Sequence, residues 1–182
     1  DKYSKEIIAN QIKTKPLDRI LIGILNSQYK KKVFAYHDKL IKPVVLAKSR
    51  KIVDSANIKK EFLEYLESFN SSQLNVFREY ENEFLSAAFS YFDSLGLSNE
   101  DLIAEIQNDF SEAKLIEVNT DNESEINQIL VNTLEQDNNP IRLIFAVDKL
   151  NEGWDVLNLF DIVRLYDTCL LYTSPSPRDR YI

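Results

Sequence analysis

The side chains best suited to chemistry lie in one polar segment, 148–155, which reads DKLNEGWD and separates two strongly apolar runs. It contains three carboxylates, one amide, one lysine and one glycine: Asp148, Glu152, Asp155, Asn151, Lys149 and Gly153. Gly153 can take a positive φ or let a ligand approach the backbone, and Asp155 can accept a hydrogen bond from a ribose hydroxyl or pair with an arginine. The segment is therefore either a ligand-binding loop or a polar strand-to-helix turn anchored by Trp154.

Four short apolar runs predict the strands that must position this segment: 44–48, 115–118, 141–147 and 162–166. Because these runs are almost continuously apolar and are separated by helices or long connections, they indicate a parallel sheet covered on both faces. Ligands bind such sheets beyond the carboxyl ends of the strands. That rule directs attention to Lys48 and Ser49, to Asn119 and Thr120, and to 148–155.

Apolar periodicity predicts the helices around the sheet. The predicted spans are 3–14, 17–37, about 54–68, 73–95, 98 to about 110, and 123 to about 135. Gly96 is placed to stop the fourth helix, and Ser98 with Asp101 forms a capping-box signature for the fifth. The expected fold class is α/β, with a three-layer, mainly parallel sheet, N-terminal helices and a helical insertion over about 70–112.

Composition excludes several classes of protein. The hydrophobic share of 44% and the charged share of 28% are those of a folded domain and not of a disordered tail. No run approaches the ~20 apolar residues of a membrane span. The one cysteine, Cys169, excludes an internal disulfide and a cysteine-based zinc cluster, and the one histidine, His37, excludes a multi-histidine metal site. We therefore expect no metal site.

Charge is distributed unevenly along the chain. Residues 1–60 hold 15 basic and 5 acidic side chains, a net of +10, whereas residues 61–182 hold 7 and 24, a net of −17. The total of −7 argues against DNA binding by the whole surface. The basic first third can meet phosphates or an acidic partner, or it can form a solvated helical surface.

Two motifs resemble those of a known family. The run IRLIFAVDKLNEGWDVLNLFDIVRLYD over 141–167 resembles motif V in the second RecA-like lobe of superfamily-two helicases, most closely the restriction (Res) subunit of type III restriction enzymes. Residues 42–49, KPVVLAKS, resemble the motif IV strand of the same lobe. The resemblance implies a RecA-like fold, with N-terminal helices over 1–40, a truncated second lobe over 41–168 and a tail over 169–182.

The resemblance also implies cofactors, partners and site residues. In that family two lobes hold ATP and Mg²⁺ between them and act on duplex DNA beside a modification methyltransferase subunit. The implied nucleotide-binding residues are Gly153, Asp155 and Glu152, and the implied DNA-facing residues are Lys48, Ser49 and Asn151. The implied whole protein is a cytoplasmic, ATP-dependent restriction endonuclease with helicase activity.

Several motifs needed for ATP hydrolysis are missing from the 182 residues. There is no Gly-x-x-x-x-Gly-Lys-Ser/Thr phosphate loop, no Asp-Glu-x-His motif and no arginine-rich motif after residue 167. We therefore expect a fragment without the first helicase lobe, with no catalytic residue and no cofactor of its own. The run CLLYTSPSPRD over 169–179 looks like translated sequencing adapter, so we expect a non-native, poorly packed tail; a genuine Pro/Ser-rich tail is the alternative.

Two other functions stay open. Asp101 with Glu112 and Lys114 has the residue types of a Mg²⁺-dependent nuclease, although solvated surface charges are the commoner explanation. The other is a stand-alone α/β interaction module that docks through its acidic region, since 61–139 holds 18 acidic and 2 basic residues. The separation of the carboxylates distinguishes the nuclease, and the strand order distinguishes the helicase lobe.

Overall fold

A computed structural model describes residues 15–118, 125–147 and 158–166. The strands in this part of the chain are β1 (Val44–Ser49), β2 (Leu115–Val118), β3 (Leu143–Val147) and β4 (Leu159–Arg164). They form one sheet in the order β2-β3-β1-β4, and every neighbouring pair is parallel. The predicted α/β class and the predicted parallel sheet are both confirmed.

Six helices surround the sheet within the described residues: α1 (Pro16–Tyr36), α2 (Ile52–Glu67), α3 (Ser71–Arg78), α4 (Glu83–Ser94), α5 (Asn99–Asp109) and α6 (Glu125–Asn132). One turn of 3₁₀-helix, Glu112–Lys114, leads directly into β2. Helices α3, α4 and α5 occupy the region between α2 and β2. None of the described helices is long and apolar enough to cross a membrane.

The sheet is the middle of three layers, because apolar side chains cover both of its faces. On one face, Val45 and Ala47 join a core that includes α1 and α2. On the other face, Val44 and Leu46 join a second core that includes Leu130 of α6. Alternation of side chains along a strand produces this division. The arrangement is consistent with the RecA-like lobe that the resemblance implied.

Helix α1 approaches the sheet very closely at Gly23. A Cβ atom at this position would lie 2.7 Å from Val163 Cγ2 on β4 and 3.5 Å from Val45 Cγ1 on β1. Because 2.7 Å is well inside van der Waals contact, only a residue without a Cβ fits here without movement of its neighbour. Gly23 therefore sets the distance between the first helix and the edge strand.

The prediction of one helix over 73–95 is wrong, because α3 and α4 are separate helices with a break at 79–82. Asn82 starts α4: its side chain accepts hydrogen bonds from the backbone N–H of Phe84 (2.9 Å) and Leu85 (3.1 Å). Such a cap stabilises a helix start and so competes with continuation of the preceding helix. The apolar periodicity continues across 79–82, so the periodicity alone does not show that one helix ends and another begins there.

Other local predictions hold. Gly96 has a φ of +73° just beyond α4, as expected of a helix stop. Ser98 Oγ accepts from the Asp101 N–H at 3.1 Å, and Asp101 Oδ2 accepts from the Ser98 N–H at 3.3 Å, which completes the predicted capping box. The last strand spans Leu159–Arg164 instead of 162–166, and its register against β1 shifts between Val44 and Val45.

Several predictions fall outside the described residues. They concern the helix over 3–14, Asn119 and Thr120, the polar segment over 148–155 and the tail over 169–182. The division of the chain into 1–40, 41–168 and 169–182 likewise stays a prediction.

A buried polar network joins the elements at the amino-terminal edge of the sheet. Arg142, which is 3% exposed, donates to Asp109 Oδ2 (3.0 Å), Gln28 Oε1 (2.8 Å), Ser27 Oγ (3.1 Å) and the Pro43 carbonyl (2.9 Å). These acceptors come from α1, from α5 and from the residue before β1. One guanidinium therefore fixes two helices against the start of the sheet.

Candidate functional site

The carboxyl edge of the parallel sheet is where function is expected in this class of fold. Ser49 pairs with Val147, so the end of β1 lies beside the end of β3. The chain leaves β3 at this point and enters the segment 148–157, which lies outside the described residues. The assignments of Gly153, Asp155 and Glu152 to a nucleotide, and of Asn151 to DNA, therefore stay predictions.

Lys48 and Ser49, the two predicted DNA-facing residues on β1, are described. They are 4% and 3% exposed, so both are buried at the end of the strand. Alternation along β1 puts Lys48 on the same face as Leu46, and Ser49 on the opposite face. Contact with DNA stays a prediction for both residues, and it would require a nucleic acid to reach their atoms at the sheet edge.

Lys48 has a basic cross-strand neighbour. It pairs in register with Arg164 on β4 and with Ala146 on β3. Arg164 lies two residues beyond Ile162, whose side chain belongs to the same apolar core as Leu46. Lys48 and Arg164 therefore share one face of the sheet at its carboxyl edge, and they concentrate positive charge there. Such a pair suits an anionic ligand or neighbouring carboxylates.

A cavity of about 320 Å³ lies on the other face at the same edge. Its described lining consists of Pro16, Ser49, Arg50, Asp54, Asn57, Ile58, Glu61, Leu165 and Tyr166. The Arg50 guanidinium lies 4.6 Å from the centroid of the Tyr166 ring, a distance typical of a cation–π contact. The cavity therefore combines one cation with two carboxylates and an amide, a set that can bind a polar ligand.

Helix α2 begins immediately behind this edge. Its first residue is Ile52, three positions after β1 ends, and its N-cap residue Lys51 makes no side-chain cap. The first N–H groups of a helix lack intrahelical acceptors and carry partial positive charge. Ser55 is buried in this helix, and its Oγ has no hydrogen-bond partner among the described residues. The start of α2 thus adds hydrogen-bond donors to the region that already holds Arg50.

The alternative of a Mg²⁺ nuclease is not supported by the geometry. Asp101 lies in the first turn of α5 and caps it, whereas Glu112 and Lys114 lie beyond the other end of that helix. The eight helical steps from Asp101 to Asp109 alone separate them by roughly 12 Å along the helix axis. Lys114 Nζ lies 3.8 Å from Asp109 Oδ1. The described residues contain no group of three metal-ligating side chains.

Sequence analysis missed three residues that the structure brings to the carboxyl edge. Arg164 and Tyr166 belong to the run 162–166, which predicts only a strand, and the sequence alone suggests no function for Arg50. The signal that could have found them is positional: basic or aromatic residues at the last positions of two parallel strands meet at one edge. From sequence that rule directs attention to Lys48, Ser49, Asn119, Thr120 and 148–155, and not to these three residues.

Comparison with known proteins gives a match to the same family that the two motifs resemble. A stretch of 48 residues is 67% identical to the "Probable type III restriction-modification enzyme HindVIP Res subunit" of Haemophilus influenzae. The match covers 26% of this chain and 9% of that protein. No family model matches the chain, and no solved structure matches it. The resemblance to the restriction subunit of type III restriction enzymes, first indicated by motifs V and IV, is thereby confirmed.

Proposed function

We propose that this chain forms part of the ATP-dependent DNA translocase in a type III restriction endonuclease. It contributes one wall of an interlobe ATP cleft and part of a DNA-facing surface, and it acts with a modification methyltransferase subunit. The observation that carries the proposal is the position of the motifs on the fold. Strand β1, which carries the motif IV run, and strand β3, which begins the motif V run, are adjacent and parallel, and Ser49 pairs with Val147 at the edge where both strands end.

The residues at this edge fit one wall of a nucleotide site, but not a whole site. Arg50 and Lys48 offer cations, and Asp54 and Glu61 offer carboxylates. A hydrolytic site also needs a phosphate loop with its lysine, a metal-binding acid and an arginine that neutralises developing charge. The sequence has no phosphate loop. ATP and Mg²⁺ would supply the phosphoryl chemistry in the whole enzyme, with the phosphate-binding groups on another lobe.

The proposal also assigns roles to residues of the polar segment that follows β3. Glu152 and Asp155 would repel the phosphates, so their carboxylates suit a ribose hydroxyl, the metal or a cation from the opposite lobe. Gly153 would let the backbone approach the nucleotide. Lys48, Ser49 and Asn151 would then face the DNA strand from the same edge.

The test uses the full-length restriction subunit that contains this sequence, assembled with its methyltransferase. Asp155→Ala should depress DNA-stimulated ATP hydrolysis at least tenfold, because the proposal requires this carboxylate in the interlobe cleft. The matched control is Glu64→Ala, which removes an exposed carboxylate from the last turn of α2 and should leave hydrolysis unchanged. Both proteins should show the same thermal unfolding midpoint. An unaffected Asp155→Ala enzyme would refute the role of this segment.

A further inference from the structure

A second cavity, of about 610 Å³, lies at the opposite, amino-terminal edge of the sheet. Its described lining comprises Lys31, Ala35, Lys39, Leu40, Ile41, Lys42, Glu135, Gln136, Asp137, Asn158 and Phe160. These residues come from the second half of α1, from the connections that precede β1, β3 and β4, and, for Phe160, from the start of β4. The cavity is therefore separate from the carboxyl edge, and nothing inferred from it depends on the proposed function.

Lys42 is hydrogen-bonded at both ends: its backbone carbonyl accepts from Asn158 Nδ2 at 3.1 Å, and its side-chain amine bonds to Asn139. Its Nζ donates to the Asn139 carbonyl at 2.7 Å and to Asn139 Oδ1 at 2.8 Å. Asn139 is itself 4% exposed and is fixed from both ends: its Nδ2 donates to the Leu130 carbonyl (2.8 Å), and its Oδ1 also accepts from the Ile141 N–H (2.9 Å). Because Asn139 is fixed by the backbone around it, its two hydrogen bonds fix the position of the Lys42 amine.

Asn139 offers the Lys42 amine two hydrogen-bond acceptors, which equals the number of N–H donors on an uncharged lysine. A neutral lysine keeps two N–H donors, so both hydrogen bonds survive deprotonation while the nitrogen lone pair becomes available. Burial lowers the pKa of Lys42 to about 8, and the positive charge of Arg142 adds to the effect. The other charged groups around the cavity are Lys31 and Lys39 on one side and Glu135 and Asp137 on the other.

We propose that Lys42 is an imine-forming amine, and that the cavity takes a small carbonyl compound with an apolar body and an acidic substituent. The Nζ lone pair attacks the carbonyl carbon and forms a C–N bond. Two protons pass from nitrogen to the carbonyl oxygen, which leaves as water, and the product is a C=N bond. The step consumes no oxidant or reductant. It needs only the aldehyde or ketone itself.

The other residues that line the cavity account for the apolar body and the acidic substituent of the proposed ligand. Leu40 is 95% exposed, and Ile41 and Phe160 lie beside it in the lining, so an apolar body would cover surface that water now reaches. Lys39 is exposed on the same loop and can meet an acidic group. Lys31 is less available because its Nζ already pairs with Asp109 Oδ2 at 2.8 Å.

Pyridoxal 5′-phosphate and pyridoxal are the probes, since both carry an aromatic aldehyde and only the first carries the phosphate. The intact chain is incubated with each at pH 7.5, reduced with borohydride and digested, and the adduct at each lysine is measured by mass spectrometry. Because the pKa of Lys42 is lowered to about 8, this residue should be modified on the order of tenfold or more faster than the lysine of an unstructured reference peptide. Lys39→Gln should slow modification by pyridoxal 5′-phosphate and not by pyridoxal.

Lys42→Arg keeps the positive charge and the hydrogen bonds to Asn139 but removes the nucleophile. This variant should lose the fast-reacting site and retain the wild-type unfolding midpoint. Trace acetylation from pH 6 to 11 provides a second readout that needs no ligand: the rate at Lys42 should reach half its maximum near pH 8. Adducts spread over exposed lysines in proportion to their exposure, or an unmodified Lys42, would overturn the proposal.

Discussion

Arg142 and Asp109 form an ion pair in which Nη1 donates to Oδ2 at 3.0 Å, with side chains only 3% and 10% exposed. The two residues lie 33 positions apart, one just before β3 and the other at the end of α5. The Arg142 guanidinium also lies 4.6 Å from the centroid of the Phe110 ring. This pair attaches the helices between α2 and β2 to the start of the central strands.

Arg142→Met should reduce the free energy of unfolding by about 3–5 kcal/mol, because it leaves the buried Asp109 carboxylate without its buried partner. Asp93→Asn is the control: it weakens the Arg78–Asp93 pair, whose carboxylate is 56% exposed. Its cost should stay under about 1 kcal/mol. Urea denaturation followed by circular dichroism measures both. Equal losses in the two variants would contradict the expectation that the buried Arg142–Asp109 pair stabilises the fold more than the exposed Arg78–Asp93 pair.

Asp109 and Asp161 should give opposite pH dependences. Burial raises the pKa of Asp109, but Lys31, Gln28 and Arg142 outweigh it, so the pKa lies below its ordinary 3.8. Its contribution to stability is therefore present above the unfolded pKa and lost as pH falls through the folded value. We expect the stability lost in Asp109→Asn to be largest above about pH 5 and to shrink below about pH 4.

Burial has the larger effect at Asp161 and raises its pKa, in spite of the Lys30 Nζ contact at 2.6 Å. A carboxyl with a raised folded pKa stabilises the fold at low pH and loses that contribution as pH rises. Asp161→Asn should therefore gain stability relative to the wild type between about pH 3 and pH 7, while Asp109→Asn loses it. Urea titrations at several pH values measure the two trends, and parallel trends would refute the assignment.

Gly23→Ala should destabilise the protein by about 1–3 kcal/mol even though alanine favours helices, because the new Cβ would lie 2.7 Å from Val163 Cγ2. Val163→Ala in the same chain should recover part of that loss by removing the clashing methyl group. A double-mutant cycle measures the coupling between the two sites. Additive effects would mean that α1 simply moves away from β4.

Asn82→Ala should cost about 1 kcal/mol, since it removes the acceptor for the Phe84 and Leu85 N–H groups. Asn82→Asp keeps a capping oxygen and should restore most of the loss. The comparison is made by thermal unfolding at one pH. If alanine proved neutral and the helical content increased, the break between α3 and α4 would not depend on this cap.

The chain of 182 residues by itself should not turn over ATP. Its sequence has no phosphate loop, which is required to hold the β- and γ-phosphates for hydrolysis. A coupled assay for released phosphate, with Mg²⁺ and with or without duplex DNA, checks this. Mg²⁺-dependent turnover at rates typical of a helicase would contradict the requirement for a second lobe.

The sequence alone was sufficient to predict the features that depend on residues close together along the chain. Continuously apolar runs identified the four strands and their parallel arrangement, since a sheet covered on both faces needs apolar side chains at every position. Gly96 and the pair Ser98 and Asp101 marked helix ends through local backbone geometry and capping bonds. The family resemblance likewise came from a contiguous run, 141–167.

Only the tertiary structure decided which distant residues meet. Lys42 and Asn139 are 97 positions apart, and no local pattern predicts that one asparagine holds the lysine amine through two hydrogen bonds. The burial of Lys48, and its position beside Arg164, depends on which strands are neighbours in the order β2-β3-β1-β4. Periodicity specifies the face of an element, whereas the partner across that face depends on the path of the whole chain.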